Sequence, residues 1–213
     1  MVEFLCIRHG QSVANVEKFF AGALDVPLSD LGVLQAKKTA AFVAQKYTVN
    51  AIYTSGLSRT IGTIKPLADM LHLPVVADEG LREVYAGDWE QKTFDDIERL
   101  FPASYKIWRE HIGVAAPDHG ETVAQMAQRV WKTVKNIAAQ YDGKTVVLAT
   151  HATPIRSLQC RAMGLPISEM HRVPWVSNAS VTHLCLEGDA LTLVSVGQDA
   201  HLLDLKSVLP ANV

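Results

Sequence analysis

The sequence predicts an α/β fold: a three-layer α/β/α sandwich around a mostly parallel sheet, with an antiparallel edge strand and a small helical lid insertion. Three observations predict it. Short apolar runs alternate with helical apolar periodicities. That alternation lapses across residues 80–120, and two β-rich runs flank Glu187-Gly188-Asp189-Ala190 near the C-terminus. A chain of 213 residues is long enough for one large domain with an insertion. That domain is expected over residues 1–213, with the lid at about 86–118.

Taken in order, residues 2–7 form a buried first strand that runs into Arg8-His9-Gly10-Gln11-Ser12. Ser12 is placed to cap a short helix, with Gly10 allowing a sharp turn ahead of it. Ser29 or Asp30 can start a long helix whose buried face would be Val33, Ala36, Ala40, Val43, Ala44 and Tyr47. Residues 51–53 read as a second strand. Ser55 then caps a helix buried through Leu57, Ile61, Ile64, Ala68 and Leu71, with Arg59 in its first turn. Residues 74–77 make a short third strand, so strands and helices alternate as in a parallel sheet covered on both faces.

Beyond residue 80 the period breaks, and only short helical pieces are expected, over residues 93–101 and 103–111. Such irregularity inside a domain marks a functional loop or lid, with Trp89, Phe101 and Trp108 packing it. Regularity returns over residues 121–141, where Val123, Met126, Val130, Val134 and Ile137 lie on one helical face. A strongly apolar strand, residues 145–149, leads into Thr150-His151-Ala152-Thr153-Pro154-Ile155-Arg156. Thr153 as cap and Pro154 at the first helical position would open the next helix. Residues 181–186 and 191–196 form the edge hairpin, a surface suited to homodimerisation.

A net charge of −2 excludes the broad basic face of a nucleic-acid binder, so any anion site must be local. Cys6, Cys160 and Cys185 are few, odd in number and scattered, which excludes a disulfide framework and favours a reducing cytoplasm. No apolar run reaches the ~18 residues of a membrane span, and no leader-like segment opens the chain. A soluble cytoplasmic protein is expected. Four strand ends, or the loops after them, deliver Arg8 with His9, then Arg59, Glu83 and His151. Phosphoryl transfer needs that set: cations for the equatorial oxygens, an in-line nucleophile and an acid for the leaving oxygen.

On these motifs the chain resembles the histidine phosphatase superfamily, the branch containing cofactor-dependent phosphoglycerate mutases and many small phosphatases. Arg8 to Ser12, followed by Asn15, is similar to the family's Arg-His-Gly-[Glu/Gln]-[Ser/Thr] element. Ser55-Gly56-Leu57-Ser58-Arg59, Leu81-Arg82-Glu83 with Gly87-Asp88-Trp89-Glu90, Gly120-Glu121-Thr122, and Thr150 to Arg156 resemble four more, in order.

The resemblance implies that His9 attacks phosphorus to form a phosphohistidine. Arg8, Arg59 and a protonated His151 would surround the phosphoryl oxygens, and Glu83 would serve as proton donor. Asn15, Gln11, Ser12, Ala152 and Thr153 would bind substrate. No cofactor and no metal is implied, because fixed cations supply the charge. The partners would be a small-molecule phosphate ester and inorganic phosphate, with no nucleic acid and no membrane.

Two departures from the family pattern stand out: Ala152 where Gly is commoner, and Gln91 where Gly often follows Trp-Glu. The remaining histidines have no partner at metal-ligand spacing, and Arg156 reads as structural. A bland reading makes Glu83 a salt-bridge partner of Arg82 or Arg109. Phosphomonoester hydrolysis leads, a phosphoglycerate mutase is the alternative and a weak phospho-ligand binding module the third. Arg82-Glu83-Val84-Tyr85 and Thr150-His151-Ala152-Thr153 depart from the mutase motifs and so favour hydrolysis. Sugar phosphates, phosphoglycerates, α-ribazole phosphate and nucleotides all remain open as substrates.

Overall fold

The computed structural model describes residues 1–207, so the last six residues of the expected domain lie outside the described residues. The strands are β1 (Val2–Arg8), β2 (Ala51–Thr54), β3 (Val75–Ala77), β4 (Thr145–Thr150), β5 (Val181–Glu187) and β6 (Ala190–Gln198). They form one sheet in the order β3-β2-β4-β1-β5-β6. The first four run parallel, and β5 and β6 add the antiparallel edge. That is the expected sheet.

Helices α1 (Val13–Glu17), α2 (Asp30–Lys46) and α3 (Ser58–Leu71) precede β3. The insertion carries α4 (Phe94–Leu100) and α5 (Pro102–His111), followed by α6 (Val123–Ala138) and α7 (Ala152–Ala162). Because both sheet faces are covered, successive β1 residues serve different cores. Phe4 and Cys6 join one with Val130, Val134 and Ile155, whereas Leu5 and Ile7 join the other with Ala40, Val43, Ile64 and Leu67. The uninterrupted apolar run of β1 follows from this.

Two helical faces differ from expectation. In α2 the buried stripe is Gly32, Gln35, Ala36, Thr39, Ala40 and Val43, while Val33 is exposed. Gln35 accepts from the Gln11 amide and donates to the Leu205 carbonyl, and the Thr39 hydroxyl donates to the Ala179 carbonyl. In α3 the buried residues are Arg59, Thr60, Thr63, Ile64, Leu67 and Ala68, and Ile61 is exposed. Polar side chains displace apolar ones there because these helices hold hydrogen-bonding loops at the sheet's carboxyl end. The aromatics of this insertion pack as expected: Trp89 is fully buried, with Phe20, Tyr105 and Trp108 rings within 5.8–5.9 Å of its own.

Candidate active site

β1 and β4 end together, Arg8 opposite Thr150, and β2 ends beside them with Thr54 opposite Ala149. The residues just past these ends therefore meet at the carboxyl edge of the sheet, where open α/β sheets bind ligands. A cavity of about 110 Å³ there is lined by Arg8, His9, Ser12, Asn15, Arg59, Glu83, Ala152 and Thr153. His151 lies behind it, fully buried, its ring 5.2 Å from that of His9. Gln11 does not line it. Its side-chain oxygen accepts from the Ser29 hydroxyl at 2.7 Å.

Hydrogen bonds fix both imidazole tautomers. His9 Nδ1 stands 2.8 Å from the Gly10 carbonyl, an obligate acceptor, so Nδ1 carries the proton and Nε2 keeps its lone pair. Arg59 Nε, an obligate donor, reaches His151 Nδ1 at 3.3 Å, which places the His151 proton on Nε2, 2.9 Å from Ser55 Oγ. Burial, followed by the neighbouring arginines, holds both imidazoles well below their ordinary value. Burial thus disfavours the protonated His151 that the resemblance implies. Its Nδ1 is already occupied as an acceptor.

Burial brings Arg8 and Arg59 down to about 10, opposed by Glu83, so both stay charged at neutral pH. Arg8 donates through Nη1 to the Val176 carbonyl, while its buried Nε has no partner among the described residues. Arg59 donates to the Gly22 and Leu24 carbonyls at 2.8 and 2.7 Å. Half-buried Glu83 accepts from the Val84 amide at 2.8 Å and the Thr153 amide at 3.2 Å. Arg82 pairs instead with Glu79, so the salt bridge from Glu83 to Arg82 does not form. Asn15 accepts through Oδ1 from the Ser12 amide and hydroxyl and from Asn178, which leaves its NH₂ group as a donor.

Several local expectations shift. Gly10 does not occupy the left-handed region; a Cβ there would sit 2.7 Å from the Gly32 carbonyl oxygen, so close approach explains the residue. Ser55 does not cap α3, whose N-cap is Leu57 without a side-chain bond; its hydroxyl serves His151 and Thr60. Thr153 and Pro154 lie inside α7, after His151 as N-cap. Arg156 is buried against the Met170 and Val173 carbonyls and stacks over Trp175 at 4.1 Å, a structural placement.

Sequence reasoning missed Asn178. Its Nδ2 donates to the His9 carbonyl at 3.0 Å and to Asn15 at 3.3 Å. The neighbouring Ala179 amide donates to the Arg8 and His9 carbonyls. The turn-forming composition of Ser177-Asn178-Ala179-Ser180 ahead of β5 is the sequence signal that points there.

Residues 4–199 match the model of the histidine phosphatase superfamily, branch 1. The chain belongs to that superfamily. It is 30% identical over 203 residues to phosphoglycerate mutase-like protein 4 of Arabidopsis thaliana, covering 94% of this chain and 86% of the relative. Over 202 residues it is 26% identical to phosphoserine phosphatase 1 of Hydrogenobacter thermophilus, covering 95% of each. A mycobacterial glucosyl-3-phosphoglycerate phosphatase solved with vanadate superposes with a TM-score of 0.85 at 28% identity, over 92% of this chain and 99% of that one.

The two departures from the superfamily's motifs now separate. Ala152 is the first residue of α7 and is not among the positive-φ positions, so its Cβ carries no backbone strain. Gln91 has φ of +66°, where glycine is the unstrained residue. Of the two, only Gln91 is strained, and it lies among residues 86–118, expected to form the lid.

Proposed function

We propose that this histidine phosphatase superfamily member is a phosphomonoester hydrolase acting on a small phosphorylated metabolite through a phosphohistidine on His9. The bond from His9 Nδ1 to the Gly10 carbonyl carries the reading, because it leaves an unprotonated Nε2 in a cavity lined by two guanidinium groups. Nε2 attacks phosphorus and the ester P–O bond breaks. Glu83 passes its proton to the departing alkoxide. Water then attacks the phosphohistidine, Glu83 takes the water's proton, and the P–N bond breaks to release inorganic phosphate.

Arg8 and Arg59 offset the equatorial charge, so the reaction needs no metal. The Asn15 NH₂ group supplies a further donor, and the Ser12, Ala152 and Thr153 positions shape the phosphate end of the cavity. An arriving dianion favours the charged form of His151, reversing the bias of burial. Phe19, Phe94, Trp108 and Trp175 form the apolar wall against which the alcohol part of the ester rests, with Lys18 beside them. We take the described chain as one cytoplasmic catalytic domain whose insertion is the lid. The departures from the mutase motifs at Glu83 and His151 favour water over a second hydroxyl as acceptor.

The test is phosphate release from a panel of phosphorylated metabolites with chelator present, for the wild type, His9→Ala and Glu83→Gln. Release that survives the chelator and vanishes in His9→Ala is expected. Glu83→Gln is expected to lose about 10²–10⁴-fold on alkyl phosphates but far less on p-nitrophenyl phosphate, whose leaving group needs no proton. Conversion of 3-phosphoglycerate to 2-phosphoglycerate without phosphate release would instead identify a mutase.

A further inference from the structure

At the opposite end of β1 from His9, three side chains of metal-ligating type converge on one sheet face. Glu3 and Cys185 are directly paired across the antiparallel β1–β5 ladder, and His183 lies two residues along β5 from Cys185. Side chains two apart on a strand share a face, so the ladder brings all three together although the sequence separates them by 180 residues. His183 Nε2 stands 3.7 Å from Glu3 Oε2 and 4.0 Å from Cys185 Sγ, and the three ligand atoms all lie within 4.8 Å of one another.

We propose that Glu3, His183 and Cys185 bind a thiophilic divalent cation, with Zn²⁺ as the best match. A tetrahedral zinc centre, with Zn–S of about 2.3 Å and Zn–N or Zn–O of about 2.0 Å, has ligand-to-ligand edges of about 3.3–3.5 Å. The observed separations close to those edges by side-chain adjustment of about an ångström, without moving the strands. One carboxylate oxygen, one imidazole nitrogen and one thiolate fill three positions, and water takes the fourth. Forming the Zn–S bond releases the thiol proton to solvent.

The carboxylate is already oriented from behind: Thr145 Oγ1, on β4, donates to Glu3 Oε2 at 3.2 Å. On the other side the His183 ring stands edge-on to Tyr47, 5.6 Å away, at the end of α2. Glu3 and Cys185 are partly buried and open the site to an ion, while the His183 side chain is only 12% exposed; Cys6 and Cys160 are buried. The six residue steps from Glu3 to His9 put the ion about 20 Å from the phosphate site. It therefore clamps β1 to β5 and takes no part in turnover.

The thiol provides the test. Full-length protein, stripped of metal and reduced, is titrated with zinc chloride while its reaction with a thiol reagent is followed, and with cobalt chloride while absorbance is recorded. One equivalent of zinc is expected to slow modification of Cys185 at least tenfold. Cobalt is expected to give a thiolate-to-metal charge-transfer band, a signature that binding at the thiol-free His9–His151 pair does not produce.

His183→Ala and Glu3→Gln keep the reactive thiol and are expected to weaken protection at least tenfold, while Cys185→Ser abolishes the band and leaves phosphate-ester turnover unchanged. A second readout covers variants that fold poorly: zinc is expected to raise the melting temperature of the wild type and not that of Cys185→Ser. A wild-type protein with no charge-transfer band and an unprotected thiol overturns the proposal. Equal zinc protection in His183→Ala and Glu3→Gln overturns it as well.

Discussion

Gln91→Gly is expected to stabilise the protein, and its magnitude follows from the backbone. Gln91 has φ of +66°, a left-handed conformation that costs an L-residue about 1–2 kcal/mol. Its side chain is exposed, so little packing is lost on removing it. The hydrogen bond it makes, from its main-chain N–H to the Phe20 carbonyl at 3.0 Å, survives the substitution. Glycine gives back about 0.4–1 kcal/mol through the greater freedom of the unfolded chain. The difference is a net gain of about 0.5–1 kcal/mol. For a chain of this length that corresponds to a rise in Tm of about 1–4 °C. Equilibrium urea unfolding reads it as a higher midpoint at unchanged slope. Gln91→Ala keeps the Cβ and is expected to move the midpoint by only a few tenths of a kcal/mol. A destabilised Gln91→Gly variant, or an equal gain from Gln91→Ala, refutes the reasoning.

Two further predictions concern the site. Asn178→Ala removes the side-chain donor to the His9 carbonyl and to Asn15; kcat/KM is expected to fall about 10–100-fold, since small displacements of a nucleophile are costly. Retained kcat with a raised KM would show that Asn178 acts on substrate binding instead of on His9. Stability is also expected to depend on pH. His9 and His151 are held below the ordinary histidine value, so below pH ~6.5 the unfolded chain binds protons that the native one refuses, and stability falls. The sign is a loss on acidification of about 1.4 kcal/mol per pH unit for each ring, or about 2.7 for both, continuing down to their native values. Urea midpoints measured between pH 7.5 and 5.5 check it; a flat profile below 6.5 would show that the rings are protonated in the folded state.

The strands and the polar residues at their ends were legible because burial on both faces leaves apolar runs that stop abruptly, as β1 stops at Arg8. Helix faces were legible only where the neighbour is apolar. In α6 the periodicity names Val123, Met126, Val130, Val134 and Ile137, and all are buried. In α2 and α3 it selects Val33 and Ile61, which are exposed, because Gln35, Thr39, Arg59 and Thr63 are buried to bond loops. A hydrophobic pattern carries no signal for such a requirement. Asn178 and Ser55 were missed as partners for the same reason: each acts through one short side chain in a loop, and only the folded chain brings it to His9 or His151. The metal-type cluster escaped because its ligands come from two strands joined by a ladder rather than from one spaced motif.

Hydrogen bonds also tie residues 86–118 to Arg59. Arg59 is anchored by the Gly22 and Leu24 carbonyls. The loop bearing them is tied to the insertion, where Glu90 Oε1 accepts from the Ala23 amide at 2.8 Å. Gly22 has φ of +51°, and a Cβ there would lie 2.4 Å from that same oxygen, so loop and insertion are in closest contact beside Arg59. Phe20, two residues earlier, packs on both Trp89 and Trp108, and Trp108 in turn lines the cavity. A substitution in residues 86–118 that shifts Trp108 or Glu90 is therefore expected to shift the carbonyls holding Arg59 as well. Residues 20–24 thus join the wall of the cavity to the carbonyls that hold Arg59, whereas Arg8 and His9 are placed by the end of β1.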